Sequence, residues 1–337
     1  MINLALVGIG YWASHTADEV MRSKKVNLYK VFTRTVEKRE EFARKYNCLT
    51  AASYEEILGD PDVDGIILET PNYVHKEQLI VASRFKKAVL VDKPICNTLL
   101  EGRAIFEAYE RSGNLLAVGH NSRRRPESRI MKKMIEEEKI GKVVAIDSVL
   151  STPRGLSFKG GEWRGEEDKC PGGPLLQLAI HHADTLSYLL GPITEVSSFQ
   201  ANLFNKAETV DTTATLIRFA SGSLGYIGSC YNTVNTYQIV IYGTEGKVTY
   251  SDTDGLWVWD IVGNKKEIDL GNKNQVAEAI LEEIEEFGES IEGRRKPETG
   301  IAEGLHSLAI IRAAILSQEK GVPVSPLKLL KKHQIYI

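Results

Sequence analysis

The apolar run "INLALV" leads directly into Gly8-Ile9-Gly10-Tyr11-Trp12-Ala13, and this junction restricts the fold more than any other feature of the chain. It is a GxGxxA pattern that follows a strand-like segment and opens a helix-like one. Glycines there allow a tight turn and let the backbone approach a pyrophosphate, which sits on the helix N-terminus. Gly-rich turns are common, so the pattern alone is also compatible with a plain turn. Its position at the first strand of a β-α-β unit points to dinucleotide binding, with Gly8, Gly10, Tyr11, Trp12 and Ala13 as contacts.

The following segments keep the alternation. "NLYKVFT", the helix "VEKREEFARKY", the strand "DGIILET", the helix "HKEQLIVASRF", the strand "KAVLVDKP", a helix near 99–111 and the strand "LLAVGH" follow in order. Near-continuous apolar strands are what a parallel sheet buried on both faces requires. After Arg125-Pro126 the pattern changes to a charged helix, the strand "KVVAIDSVL" and a Gly-rich charged loop over 152–173. Strand-like pieces without helices between them then run from about 194 to 268, which predicts an antiparallel sheet with one face free to pack. Two long helical patterns, near 274–292 and 301–319, close the chain. At 337 residues, two domains are expected. The first, 1–122, is a nucleotide-binding domain and the second, 123–337, an α+β domain for substrate and oligomer contacts. The C-terminal segment is a candidate to pack back on the first domain.

A net charge of −3 gives no reason to expect nucleic acid or an anionic membrane as partner. The longest apolar runs are too short to span a bilayer, and no export signal precedes the first strand. Cys48, Cys96, Cys170 and Cys230 lack metal-like spacing. They read as free thiols of a cytoplasmic protein, with a single bridge as the alternative.

The end of the second strand bears on cofactor choice. NAD-binding domains usually place an acid there to accept from the ribose 2′-hydroxyl. This chain has Thr33-Arg34, with Lys38 in the next helix. A hydroxyl and a guanidinium suit a 2′-phosphate, so NADP(H) is favoured over NAD(H); the alternative is that Arg34 and Lys38 are solvated surface charges. Thr70, Pro71, Asn72 and His75 end the fourth strand, while Asp92, Lys93 and Pro94 end the fifth. Ligands of open α/β sheets bind beyond the carboxyl ends of strands, so these residues are expected at the cofactor crevice.

The order of these motifs resembles the glucose-fructose oxidoreductase/inositol dehydrogenase/rhizopine catabolism (Gfo/Idh/MocA) family over nearly the whole chain. The residues that carry the resemblance are GxGxxA, "TPNYVH", "DKP", "GHNSRRRP", "WR" at 163–164, "GGPLLQLAIHHADTLSYLLG" and "IYGTEGKV". The resemblance implies a doubly wound Rossmann domain plus an α+β domain with a large open antiparallel sheet. It also implies dimer or tetramer contacts through that sheet, and NAD(P)-dependent redox chemistry at a carbon of a sugar, polyol or related compound. It makes Lys93 the catalytic lysine, puts a cis peptide before Pro94, and makes His181 the catalytic histidine. Asn121, Arg123, Trp163 and Arg164 fall in segments near the family's substrate pocket, with Asn121 also near the cofactor. The alternatives are a solvated charge cluster for Arg123-Arg124-Arg125 and a core anchor for Trp163.

Helical spacing separates the polar residues of "GGPLLQLAIHHAD". Gln177, His181, Asp184 and Tyr188 fall on one stripe, whereas His182 shares a face with Leu178, Leu186 and Leu189. His182 is therefore expected as a packed histidine with a hydrogen-bond partner, and His181 with Gln177 as substrate contacts. Hydride removal from a carbinol carbon requires loss of the hydroxyl proton. A neutral imidazole can accept it near pH 7, and the Lys93 ammonium can stabilise the oxygen as charge grows. No metal is needed. Three positions depart from the family pattern: Gln177 for an Asp of many cyclitol dehydrogenases, Asp92 for Glu, and Ala179 for Gly. Gln177 cannot take a proton, so no substrate follows from the motif. Two other classes stay open: a glycoside hydrolase using transient redox on held NAD, and a non-catalytic ligand sensor.

Overall fold

The computed structural model describes residues 1–158, 161–271 and 274–337. In chain order the elements begin with β1 (Ile2–Val7), α1 (Tyr11–Arg22), β2 (Val26–Phe32), α2 (Val36–Tyr46), β3 (Leu49–Thr50) and α3 (Tyr54–Gly59). Next come β4 (Gly65–Leu68), α4 (His75–Ala82), β5 (Ala88–Asp92), α5 (Leu99–Ser112), β6 (Leu116–Gly119), α6 (Pro126–Glu136) and β7 (Val143–Ser151). A π-helical turn over Leu175–Ala179 leads into α7 (Ile180–Leu190). There follow β8 (Ile193–Ala201), β9 (Thr212–Phe219), β10 (Leu224–Cys230), β11 (Thr236–Gly243), β12 (Gly246–Ser251), β13 (Gly255–Asp260) and β14 (Lys265–Ile268). The chain closes with α8 (Gln275–Ile291), α9 (Ile301–Lys320) and the short α10 (Pro326–Lys332). The chain forms two compact units: residues 1–124 with 276–305, and residues 125–275 with 306–337.

The first unit holds a parallel sheet in the order β3-β2-β1-β4-β5-β6. The strand order reverses between β1 and β4, the place where doubly wound sheets open a crevice at their carboxyl edge. Successive residues Leu4, Ala5 and Leu6 are all fully buried, so both faces of β1 are covered. Local chemistry fixes the helix ends. Thr98 and Glu101 form a reciprocal capping box at the start of α5, and Gly113 ends it in the left-handed region. From α8, Ile280, Ile284 and Phe287 join Leu4, Leu6, Val26 and Leu28 in one core.

Arg124 ties 276–305 into this unit electrostatically. Its side chain is 1% exposed; Nη1 lies 3.3 Å from Glu283 Oε1, and Nη2 lies 2.8 Å from Glu286 Oε1 and 3.2 Å from Thr299 Oγ1. Its neighbours in the run are buried as well, Arg123 facing Glu298 in this unit, and Arg125 facing Glu127 and Asp252 in the second. The solvated-cluster reading of the three arginines is thereby corrected. A buried guanidinium is tolerated only where carboxylates meet it; apart from Glu127, two residues from Arg125, these partners lie far away in sequence.

The second unit holds a sheet in the order β14-β13-β12-β11-β7-β10-β9-β8. It is antiparallel except between β7 and β10, which run parallel. A parallel pair needs a long crossover, and the chain between β7 and β10 supplies it through α7, β8 and β9. The π-helical turn and α7 pack on β7, the turn also on β10. Across the opposite face, Leu216, Tyr226, Asp147, Val240, Thr249 and Trp257 form one register row. Gly173, ahead of the turn, has φ +47°, and a Cβ there would lie 2.5 Å from the Val210 carbonyl oxygen, so no larger residue fits.

Replacing Arg124 by Met should cost about 3–5 kcal/mol, because two buried carboxylates lose their shared cation. Arg103→Ala, which opens the exposed Arg103–Glu107 pair on α5, should cost about 0.3–0.5 kcal/mol. Urea denaturation of the two variants checks the contrast.

Candidate active site

The Gly8–Ala13 turn has the shape a dinucleotide needs. Gly8 adopts φ +96°, and a Cβ on it would lie 2.6 Å from the Glu69 carbonyl oxygen. This glycine is required by the close passage of β4, not by the turn alone. At Gly10 a Cβ would meet no atom within 4 Å, so the space over the second glycine is open. Gly10 is also the N-cap of α1, and no side chain caps it. The first N–H groups of α1 thus keep the capacity to bind a phosphate. Ala13 is fully buried, giving the close helix–sheet packing expected at the third position.

Tyr11 and Trp12 are exposed; Tyr11 makes edge contacts with Trp12 and His15 at centroid distances of 5.4 and 5.2 Å, and Trp12 lies tilted against His15 at 5.3 Å. At the end of β2, Thr33 is half-buried while Arg34 and Lys38 are exposed. Arg39 donates from Nη1 to the Thr33 carbonyl at 3.4 Å, bracing this corner.

The ends of β4 and β5 are joined from below. His75 is fully buried, with Nδ1 2.9 Å from the Pro94 carbonyl and Nε2 2.9 Å from the Thr70 carbonyl. Burial lowers the pKa of its ring, opposed by the two carbonyls and Asp92. Asn72, 3% exposed, pairs its amide with Asn97. The side chains of His75 and Asn72 hold these loops together from within. Thr70 Oγ1 donates to Gln78 Oε1 at 2.6 Å, and Pro71 is half-buried beside it. Asp92 and Lys93 are half-buried at the end of β5, and the Lys93–Pro94 peptide is cis. Asn121 is half-buried in the turn after β6. Arg123, 8% exposed at its side chain, lies 4.0 Å from Glu298 and presents little surface to a substrate.

In the second unit, His181 and Tyr188 of α7 are half-buried, whereas Gln177 is 8% and Asp184 1% exposed. The expected stripe is thus largely packed. Asp184 accepts from Ser307 Oγ at 3.4 Å and Tyr188 from Arg129 Nη1 at 3.0 Å. A π-helical turn inserts extra backbone per turn, so Gln177 is out of α-helical phase with the residues of α7. Trp163 and Arg164 are half-buried, with the guanidinium 4.2 Å over the indole.

His182 is fully buried, as its face predicts, but neither ring nitrogen has a hydrogen-bond partner. The expectation of a polar partner is corrected: Tyr237 packs edge-on at 4.9 Å, and Arg125 lies 4.0 Å over the same tyrosine. Burial, with Arg125 adding to it, pushes the His182 pKa down to about 3.

All four cysteines are free. Among the described residues, no group of three or more His, Cys, Asp or Glu could hold a metal ion, and no helix is long and apolar enough to cross a membrane.

The chain belongs to the Gfo/Idh/MocA family: residues 2–120 match "Oxidoreductase family, NAD-binding Rossmann fold" and residues 128–249 match "GFO/IDH/MocA C-terminal domain". It is an oxidoreductase with an NAD-binding Rossmann domain. A Desulfitobacterium hafniense protein, provisionally described as an NADPH-dependent oxidoreductase, superposes with a TM-score of 0.92 at 31% identity, covering 98% of this chain and 99% of that one. The 1,5-anhydro-D-fructose reductase of Ensifer adhaerens is 28% identical over 283 residues, 80% of this chain and 83% of that protein. A levoglucosan dehydrogenase holding NADH and levoglucosan shares the fold, with a TM-score of 0.87 at 22% identity over 96% of this chain and 99% of that one.

A histidine whose pKa is lowered on folding contributes stability that is present above its unfolded value and lost as pH falls towards the folded one. Thermal unfolding should therefore show His182→Phe losing less stability than the wild type as pH drops from about 6.5.

Proposed function

We propose that this protein oxidises a CH–OH carbon, or reduces the corresponding carbonyl, of a sugar, polyol or sugar derivative. One observation carries the reading: Lys93 directly follows β5 on the same carboxyl edge of the parallel sheet as the glycine turn after β1. A nicotinamide dinucleotide, when bound, supplies the hydride acceptor or donor. Gly8, Gly10 and the uncapped start of α1 would hold its pyrophosphate, with Tyr11 and Trp12 next in sequence and Thr70 close to Gly8 in space. The ammonium of Lys93 stabilises negative charge on the reacting oxygen, and the imidazole of His181 takes the hydroxyl proton or returns it. Trp163, Arg164, Asn121 and Gln177 are the proposed substrate contacts; the stacked Arg164–Trp163 pair suits a hydroxylated or anionic sugar.

NADP(H) is the proposed preference. Arg34 and Lys38 stand exposed where a 2′-phosphate would need cations, and no acid replaces them at Thr33. A homodimer or homotetramer through the sheet of the second unit is supported by the half-exposed register row at Leu216, Tyr226 and Trp257. Free thiols suit a reducing compartment and support a cytoplasmic location.

A matched NADP+/NAD+ screen over sugars, polyols and sugar acids tests this reading. Lys93→Met should lower kcat about 10²–10⁴-fold, and turnover unchanged in that variant would overturn the mechanism. Arg34→Ala should raise the KM for NADP+ about tenfold and leave that for NAD+ unchanged. A wild type that strongly prefers NAD+ would overturn the cofactor assignment.

A further inference from the structure

The end of β4 carries an acid that the chemistry above does not use. Glu69 follows Leu68, and its carbonyl is the atom that excludes a side chain at Gly8. Its carboxyl turns towards α1, where Thr16 Oγ1 donates to Oε1. The other oxygen, Oε2, is buried with no hydrogen-bond partner. The charged groups acting on it are both anions, Asp92 at the end of β5 and Glu283 on α8. Glu283 already has a cation, Arg124 at 3.3 Å. A third carboxylate in this place would be a buried charge without a counter-charge of its own, directly behind the glycine turn.

We propose that Glu69 is a positioning residue for the dinucleotide: as a neutral acid it ties the end of β4 to α1 behind the Gly8–Ala13 turn, and its ionisation weakens dinucleotide binding. The inference rests on that turn being the dinucleotide site. Two physical effects act together when the proton leaves. Repulsion from Asp92 and Glu283 pushes the strand end away from its place under Gly8. The new negative charge also opposes the pyrophosphate that the start of α1 attracts. The energetics agree with a neutral resting form. Burial, reinforced by Asp92, pushes the Glu69 pKa up to about 8, although the Thr16 hydrogen bond pulls it down.

The test is a fluorescence titration of the full chain with NADPH and with NADH, between about pH 7 and about pH 9, for the wild type and Glu69→Gln. Glutamine keeps the shape and the Thr16 contact but cannot ionise. If only the neutral acid permits tight binding, the wild-type Kd weakens about tenfold over this range, while Glu69→Gln holds a flat profile. Thermal unfolding of the nucleotide-free proteins gives a second readout. A raised carboxyl pKa contributes stability that is complete below the unfolded value and lost as pH rises through the folded one. The wild type should therefore lose Tm relative to Glu69→Gln on the way to about pH 8. Nucleotide binding with the same pH profile in both proteins would overturn the role of Glu69 alone. Failure of both nucleotides to bind at any pH would overturn the dinucleotide reading as well.

Discussion

The close passage of β4 beneath the first glycine is the constraint on which the candidate site depends. With the Glu69 carbonyl 2.6 Å from where a Cβ of Gly8 would sit, the backbone after β1 has one way to turn into α1. That turn presents uncapped N–H groups at the carboxyl edge of the sheet, at the point where strand order reverses. The same edge carries Thr70, Asp92 and Lys93, because β4 and β5 are the next strands outward. Substrate chemistry can be assembled there only because the strand ends are held in register.

What holds them is largely buried polar structure. His75 bridges the carbonyls that follow β4 and β5, and Asn72 meets Asn97 beside it. Arg124 collects carboxylates from α8 at the end of β6. Each arrangement is costly unless complete, since an unpaired buried charge or amide loses its water with nothing in return. Glu69 is the exception in charge, and it avoids the cost by keeping its proton.

The sequence made the parallel sheet legible because strands covered on both faces must be continuously apolar, as Leu4–Leu6 are. The glycine turn was legible because its position between strand and helix leaves few other uses. Spacing places His182 on a packed face, but the absence of a hydrogen-bond partner depends on Tyr237, which is remote in the chain. The burial of Arg123 and Arg124 is hidden for the same reason: their carboxylates come from elsewhere in the chain, whereas Arg125 has one local partner, Glu127, beside the distant Asp252. The π-helical turn at Leu175–Ala179 and the parallel pairing of β7 with β10 are set by packing, so no spacing rule anticipates them. Glu69 has a local signal, as the acid that directly closes the apolar strand "DGIIL".

The central claim is that this chain moves a hydride at a hydroxyl-bearing carbon, and label transfer tests it most directly. Keto sugars are to be reduced with NADPH deuterated at nicotinamide C4 on the transferring face, and the products analysed by mass spectrometry. The account predicts a single deuterium on a carbon that gains a hydroxyl. A turned-over product that carries no deuterium, or a cleaved glycoside with no net label, would contradict it.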